Sequence, residues 1–341
     1  MALTKREKIV LGEVVRQFIL SGAPVSSALI AEKSKLGMSP ATIRNILAEL
    51  ERKEYISQPH TSAGRVPRTA AYRMYVDSLM KMSRLSGEER EQICQTVQQT
   101  ASEFEDVLKE VARILAQVSH QLGILVSPRI EEGIFQRLEL IDLSADKILL
   151  VMTIESGFVK TVILEVDFTI SPRKIQVVSQ ILNERLQGLK VAEIRSRFSG
   201  IVRDIWNEES GLVQVFARKA DRLFDFRENI RLYFMGTHHI FQQPGFSNVE
   251  AASSVVELLE NREVIVHLLD QETEIAPITV KIGEEIKEQK MQECSIISAR
   301  YRVGNIQGIL GIIGPTRMNY SKIVPLVDFT ARTITSVHGK N

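Results

Sequence analysis

The sequence of 341 residues has only two cysteines, Cys94 and Cys294, and they share no CxxC spacing. This excludes a cysteine-based zinc site and a disulfide framework, and it indicates two reduced thiols. No apolar run approaches the roughly 20 residues of a membrane-spanning helix. The start, MALTKREKIV, is charged and predicts a helix rather than a signal peptide. We therefore expect a cytoplasmic protein without a membrane partner.

Catalytic signatures such as GxSxG and HExxH are also missing, so the sequence predicts no enzyme. The glycines between 304 and 314 suggest a phosphate-binding loop, but the spacing matches no such motif and favours a strand with a turn at each end. His238 and His239 are metal-binding residue types without a cysteine or carboxylate at usable spacing, which favours a loop beside a strand. We predict no cofactor and no metal.

What the sequence does have is a local excess of positive charge. The net charge of the whole chain is +1, yet residues 1–77 contain 12 Lys and Arg against 7 Asp and Glu, a net charge of +5. The remainder therefore carries −4. The asymmetry favours a polyanionic partner for the first 77 residues, against the alternative of a chance fluctuation.

Three helices are predicted in this basic part. Thr4 and Glu7 fit a capping box, and Gly22 suits the end of the first helix. Ser26 or Ser27 can begin a second helix, which runs to about Ser34. The third helix begins after Ser39, with Pro40 at its first position and an apolar stripe formed by Ile43, Ile46, Leu47 and Leu50. Two helices, a short turn and a polar-faced helix predict a helix-turn-helix.

The opposite face of the third helix is small and polar. Arg and Asn side chains can bind base edges with two hydrogen bonds, and small residues let a helix enter the major groove. We predict that Ser39, Thr42, Arg44 and Asn45 contact the major groove. By itself the pattern fits an ordinary amphipathic surface helix equally well.

The next segment strengthens the DNA-binding interpretation. Residues 55–58 predict a short strand, and a polar loop leads to a return strand at Val66, which Pro67 limits to a sheet edge. Such a wing after a helix-turn-helix contacts the DNA backbone or minor groove. We assign this role to His60, Thr61, Ser62, Gly64 and Arg65.

Beyond the wing, apolar periodicity predicts a mixture of helices and strands. Helices are expected at 69–83, 84–122, 172–186 with Ser171 as the cap, 190–230, 249–260 and 320–337. Strands are expected at 135–143, 147–154, 159–166, 231–235, 264–269, 278–282, 295–303 and 308–313, with a loop at 241–246. The first three strands predict a meander. We expect the strands before 170 and after 262 to form one sheet, interrupted by a mostly helical insertion.

Several segments closely resemble HrcA, the family of bacterial heat-inducible transcription repressors. The most specific is the wing, QPHTSAGRVP at 58–67, followed by AYRMYVD at 71–77. The runs GAPVSS at 22–27, SPATIRNILAELERKEYI at 39–56, NIRLYFMGTHHIFQQPGF at 229–246 and GILGIIGPTRMNYSKIVPLVDFTARTI at 308–334 resemble the same family, as does RLELIDL at 137–143. The resemblance covers essentially the whole chain.

The resemblance implies an α+β multidomain fold. It implies a winged helix-turn-helix domain at 1–77, linker helices at 78–110, a GAF-like α/β domain at 111–168 and 250–341, and a mostly helical inserted dimerising domain at 169–249. It further implies a homodimer that binds double-stranded DNA at an inverted repeat, the CIRCE element. The expected function is repression of groE-type and dnaK-type chaperone operons, modulated by the GroEL-type chaperonin.

Three alternatives remain open at the level of sequence. In the first, the GAF-like domain senses a metabolite, although no convergent polar set marks a pocket. In the second, an enzyme is fused to a DNA-binding domain, but no catalytic signature favours it. The third concerns the response to heat, which can come from melting of the repressor itself or from withdrawal of the chaperonin.

Overall fold

A computed structural model describes residues 3–33, 37–60, 63–98, 104–144, 146–167, 171–205, 211–226, 231–242, 257, 261–270 and 277–339. The chain divides into two compact units. The first comprises residues 1–125, 232–300 and 309–331, and the second comprises residues 126–231, 301–308 and 332–341. The fold is mixed α/β. In the described residues, no helix has both the length and the apolar character that crossing a membrane requires.

The first unit begins with what we call the three-helix module, residues 3–67. It contains α1 (Lys5–Ser21), α2 (Ser27–Lys33), α3 (Pro40–Arg52) and the short strands β1 (Ile56–Ser57) and β2 (Val66–Pro67). The capping box at Thr4 and Glu7 is present, and Gly22 ends α1 with a φ of 67°. Of the two candidate caps for α2, Ser26 is used, because its Oγ accepts a hydrogen bond from the amide of Leu29 at 3.1 Å.

The segment after the module is less regular than predicted. α4 (Thr69–Met74) continues as a π-helical turn, Tyr75–Leu79, and no helix continues through 80–83. The single helix expected at 84–122 is replaced by α5 (Gly87–Gln98) and α6 (Phe104–Ser119), and by β3 (Leu122–Val126), which was not predicted. His120 takes a φ of 54°, so the backbone leaves the helical conformation just before β3.

The second unit contains the predicted meander. β4 (Phe135–Ser144), β5 (Lys147–Ile154) and β6 (Val159–Glu165) form an antiparallel sheet of their own, in the order β4-β5-β6. α7 (Pro172–Leu186), capped by Ser171, packs on β4, where the Asn183 amide both accepts from the Leu138 N–H (2.7 Å) and donates to its carbonyl (2.8 Å). α8 (Val191–Ile201) and α9 (Leu212–Leu223) follow.

The remaining strands form a second, five-stranded sheet in the order β7-β3-β10-β9-β8. They are β7 (Leu232–Met235), β8 (Ile278–Ile282), β9 (Cys294–Val303) and β10 (Ile306–Pro315). β8 pairs with β9 in antiparallel register, with Val280 opposite Ile297. The expectation of one sheet from the strands before 170 and after 262 was therefore wrong. The meander is a separate sheet, and the strands after 262 are joined by β3 and by β7, which lies within the predicted insertion.

Three other predictions in this region have different outcomes. The strand expected at 264–269 is wrong, because this segment lies in a helix, α11 (Arg262–Asp270). His238 and His239 lie in a short helix, α10 (Thr237–Gln242), and not in a loop. The loop beyond 242 and the helix at 249–260 fall outside the described residues, apart from Glu257.

The last helix, α12 (Tyr320–His338), confirms its prediction. Short 3-10 turns lie at Ile130–Glu132, Arg203–Ile205, Gly283–Glu285 and Gln289–Met291. The two compact units do not coincide with the predicted functional domains. The boundaries of those domains stay predictions.

Candidate nucleic-acid interface

α3 has one buried face and one exposed face. The Ser39 hydroxyl accepts a hydrogen bond from the Thr42 amide at 3.1 Å, and Pro40 occupies the first turn. Ile43, Leu47 and Leu50 are buried, and the helix packs on α1 and α2. Because these apolar residues recur at helical spacing, the helix has a single buried stripe and the opposite side stays in solvent.

The exposed face of α3 has the composition that we predicted. Ala41, Thr42, Arg44, Asn45 and Ala48 are all exposed. Arg44 has no carboxylate partner among the residues that the structure describes. Its guanidinium and the Asn45 amide are therefore available to hydrogen-bond base edges. Ser39 and Thr42 are already engaged with each other, since their hydroxyl oxygens lie 3.0 Å apart.

The polar loop between β1 and β2 is closed by its own backbone. β1 and β2 pair in antiparallel register, with Ser57 opposite Val66. The Ala63 amide donates to the His60 carbonyl at 2.8 Å, and the Gln58 side chain donates to the Ala63 carbonyl at 2.9 Å. His60 is exposed at this turn, whereas Thr61 and Ser62 lie outside the described residues.

The fold requires a glycine at position 64 for a reason that does not involve DNA. Val25 and Arg65 exchange two backbone hydrogen bonds, of 2.9 and 2.8 Å, which tie the loop to the segment before α2. A Cβ on Gly64 would lie 2.6 Å from the carbonyl carbon and oxygen of Val25. A side chain there would collide with the backbone, so only glycine permits this close approach.

Arg65 is not a freely exposed cation. Its guanidinium forms an ion pair with Glu51 of α3 at 2.9 Å, and its side chain is only 18% exposed. The pair connects the base of the loop to α3. Arg44 and Arg65, which we predicted as DNA contacts on equal terms, therefore differ. Arg44 presents a charge without a carboxylate partner in the described part of the chain, and Arg65 shares its charge with Glu51.

An ion pair that we did not predict joins the first and third helices. Lys53 Nζ lies 2.6 Å from Glu7 Oε1, and both side chains are largely buried. Glu7 also accepts from the Thr4 amide at 2.7 Å. These two donors, with Lys53 first, lower the pKa of Glu7 below its usual 4.5, while burial opposes them. The two residues are 46 positions apart, so no local pattern could have paired them.

A second set of unpredicted contacts holds α4 against the five-stranded sheet within the first unit. The Arg73 guanidinium binds the Glu285 carboxylate through two nitrogens, and it also pairs with Asp77 at 3.1 Å. The neighbouring Tyr72 ring packs against Tyr320, with ring centroids 6.1 Å apart. α4 directly follows β2, so these contacts fix the attachment of the three-helix module to its unit.

No group of three or more His, Cys, Asp or Glu residues in the described part of the chain is arranged to hold a metal ion. The buried Cys294 is in a poorly solvated environment, which raises the pKa of its thiol to about 12 and keeps it protonated. The outer face of α3 combines exposure, hydrogen-bonding capacity and the available positive charge of Arg44.

Comparisons with known proteins agree on one family. Residues 105–324 match the profile described as HrcA protein C terminal domain. The heat-inducible transcription repressor HrcA of Chlorobium phaeobacteroides strain BS1 is 36% identical over 340 residues, which cover 96% of each chain. The protein of the same name from Symbiobacterium thermophilum is 33% identical over 335 residues, covering 98% of each chain.

A solved structure supports the fold alone. The crystal structure of a hypothetical protein at 2.2 Å resolution superposes with a TM-score of 0.62 and covers 99% of both chains, at 22% sequence identity.

Proposed function

The chain belongs to the HrcA family of heat-inducible transcription repressors, and we propose that it represses chaperone operons of the groE and dnaK type by binding an inverted-repeat operator, CIRCE, as a dimer. It acts in the cytoplasm and without catalysis. The observation that carries the proposal is the outer face of α3, which is exposed, small and polar, with Arg44 unpaired among the described residues.

In this proposal the three-helix module is a winged helix. α3 enters the major groove, where Arg44 and Asn45 bind base edges and Ser39 and Thr42 line the entry of the helix. The loop at 58–65 is the wing. His60, Thr61, Ser62, Gly64 and Arg65 face the backbone or minor groove, with Arg65 exchanging part of its interaction with Glu51 for phosphate.

The test compares two arginines of the same helix. Arg44→Ala should weaken operator binding by about 1–3 kcal/mol and relax the preference at one base position. Arg52→Ala is the matched control, because it removes the same charge from a side chain that pairs with Glu49 near the other end of α3. Both are measured by fluorescence anisotropy on the operator and on single-base variants. Equal weakening on every sequence would make Arg44 a phosphate contact and would contradict its role in base recognition.

Dimerisation is supported by an open sheet face in the second unit. The register aligns Ile141, Leu149 and Ile163 across β4, β5 and β6. Ile141 and Ile163 are 44% and 59% exposed, and Val159 on the same face is 59% exposed. Exposed apolar surface of this kind commonly marks a protein interface. We propose that a second copy covers it, so that the dimer surface includes this sheet as well as the inserted region at 169–249.

Sedimentation velocity tests this surface. Ile163→Glu should convert the dimer to monomer at low micromolar concentration, because the new charge would be buried without a partner. Met82→Glu, which changes a 56% exposed apolar residue of the first unit, is the control and should leave the dimer intact. A dimer unchanged by Ile163→Glu would exclude the sheet from the interface.

Heat regulation through a GroEL-type chaperonin completes the proposal. Withdrawal of the chaperonin on heat shock leaves the repressor without folding assistance, whereas intrinsic melting would need no chaperonin. Operator binding by the purified protein is measured after a step of a few degrees above growth temperature. Two results together favour the chaperonin route. The purified protein still binds the operator after this step without chaperonin, and operator binding is lost in cells depleted of chaperonin.

One observation favours the second candidate, a metabolite-responsive regulator. A cavity of about 1280 Å³ lies within the first unit between the end of α3, α4 and residues 284–317. Its lining includes the aromatic side chains of Phe18 and Tyr55. It also contains charged residues of both signs, among them Arg68, Arg317, Glu54, Glu284 and Glu293, so it suits a polar ligand with an aromatic part. Reproducible thermal stabilisation by a low-molecular-weight fraction of cell extract would support this candidate. Stabilisation only by operator DNA or chaperonin would exclude it.

A further inference from the structure

The outer side of α1 forms a surface that DNA binding by α3 does not require. Its inner side is buried, through Val10, Leu11, Val14 and Val15. With 3.6 residues per turn, Ile9, Glu13, Arg16 and Leu20 fall on the opposite side. Ile9 is 42% exposed and Leu20 is 67% exposed. This helix therefore presents apolar side chains to solvent in addition to those that it contributes to the core.

The exposed side of α1 forms one wall of a groove of about 890 Å³, and residues 75–81 form the other. The two walls meet where Gly12 faces Leu79, since a Cβ on Gly12 would lie 3.6 Å from the Leu79 Cβ. All lining residues belong to the first unit. We call the apolar part of its lining the floor, which consists of Ile9, Ile19, Leu20, Leu79 and Met80.

We call the charged part of the lining the rim, and it is mainly cationic. Its basic residues are Lys5, Lys8, Arg16, Lys33 and Lys81, and Glu13 is the acidic residue among those that line it. The Glu13 carboxylate is occupied by Arg16, at 2.7 and 3.0 Å, and by Gln17, at 2.7 Å. In the described part of the chain, Lys5, Lys8 and Lys81 have no carboxylate partner. The rim thus has uncompensated positive charge above an apolar floor.

We propose that this groove docks an acidic amphipathic helix of a partner protein. An apolar stripe would cover the floor, and flanking carboxylates would pair with the rim lysines, so both properties of the groove are used. A nucleic acid would use the lysines and leave Ile9 and Leu20 in water. The groove faces away from the side of α1 that packs on α3, so the partner can bind while Arg44 and Asn45 contact DNA.

The first experiment uses the full chain and synthetic peptides labelled with fluorescein. The probe is a helix of about five turns with Leu at i, i+3, i+4 and i+7 and Glu at most other positions. One control peptide has the same composition in scrambled order, and another has Lys in place of Glu. Anisotropy titrations should give a Kd about tenfold lower for the probe than for the scrambled peptide, and no binding of the Lys peptide. Equal binding of the probe and the scrambled peptide would overturn the proposal, since charge alone would explain it.

Variants locate the site. Leu20→Asp and Lys81→Glu should each raise the Kd of the probe by about tenfold. Lys287→Glu, at an exposed lysine of the first unit, is the matched control for the charge change and should have no effect. Because these side chains are exposed, far-ultraviolet circular dichroism and operator binding should stay unchanged in all three variants. Unchanged affinity of Leu20→Asp and Lys81→Glu for the probe would refute the site.

Two competitors distinguish other occupants. Non-specific duplex DNA that displaces the bound probe would identify the groove as a nucleic-acid surface. Phosphatidylglycerol vesicles that sediment the wild type and not Leu20→Asp, without binding of the probe, would identify a lipid surface. Either result overturns the proposal. Because the probe titration needs no operator, its outcome is separate from that of the DNA-binding test.

Discussion

The ion pair between Glu7 and Lys53 gives a quantitative test of what stabilises the three-helix module. Their oxygen and nitrogen lie 2.6 Å apart, and the side chains are 8% and 15% exposed. Removing one member of a buried pair typically costs about 3–5 kcal/mol, and an exposed pair contributes less than about 1 kcal/mol. Lys53 can reach solvent, and the hydrogen bond from the Thr4 amide to Glu7 does not depend on Lys53. We therefore expect Glu7→Gln or Lys53→Met to lower the free energy of unfolding of the module by about 2 kcal/mol.

The assay is native-state hydrogen exchange of amides in α1 and α3, because unfolding of the whole chain also reports on the second unit. The double variant Glu7→Gln/Lys53→Met should cost about 1–2 kcal/mol less than the sum of the single variants, since the pair is lost only once. Additivity within about 0.5 kcal/mol would refute a direct interaction between the two side chains.

The pair also predicts a pH dependence. The pKa of Glu7 is lowered in the folded protein, chiefly by the hydrogen bond from Lys53. Its stabilising effect is therefore complete above the unfolded pKa, near 4.5, and is lost as the pH falls through the lower folded pKa. Protection of α1 amides, corrected for intrinsic exchange, should decrease over this acidic range. The decrease should be smaller in Lys53→Met, and an identical pH profile would contradict the assignment.

Gly64 and Arg73 make contacts whose contribution to stability can be measured by substitution. Gly64→Ala should destabilise the loop by about 1–3 kcal/mol, because the new Cβ collides with the Val25 backbone. Faster hydrogen exchange of the Val25 amide would reveal this destabilisation. Exchange at the wild-type rate would contradict the prediction. Arg73→Gln should lower the free energy of unfolding by about 1 kcal/mol, a modest value because the Arg73–Glu285 pair is about one-third exposed. Adding Glu285→Gln to Arg73→Gln should then lower the free energy of unfolding, measured by thermal unfolding, by little more. If the effects of the two substitutions add in full, the ion pair contributes nothing to stability.

Local signals predicted the three-helix module well. The interactions that begin and end these helices join residues only a few positions apart, so they can be predicted from the sequence. Examples are the capping box at Thr4, the cap at Ser39 and the left-handed Gly22. The buried stripe of α3 is equally local. The exposed face that results, with Arg44 and Asn45, was predictable because the helix period decides which residues share a side.

Segments with continuous apolar runs were predicted less well. Residues 264–269 have the composition of a strand, but they form a helix that buries Ile265, Leu268 and Leu269. A short apolar run does not separate a buried strand from a buried helix. The same ambiguity hid β3, all five residues of which are buried and which follows directly on the periodic pattern of α6.

Long-range pairing was beyond the sequence. The strands of the meander pair with one another and not with β8–β10, a choice that depends on tertiary packing rather than on composition. For the same reason, the ion pairs of Arg65 with Glu51 and of Lys53 with Glu7 were not predicted. Gly64 was predicted as a DNA contact, and the close approach that the structure shows there is to the Val25 backbone.

Footprinting on genomic fragments with the purified protein tests the central claim most directly. A dimeric repressor with two α3 helices related by a two-fold axis should protect both halves of an inverted repeat upstream of a chaperone operon. Arg44→Ala should reduce protection of both halves alike. Protection of a single half-site without symmetry, or protection without sequence preference on all fragments, would contradict the account.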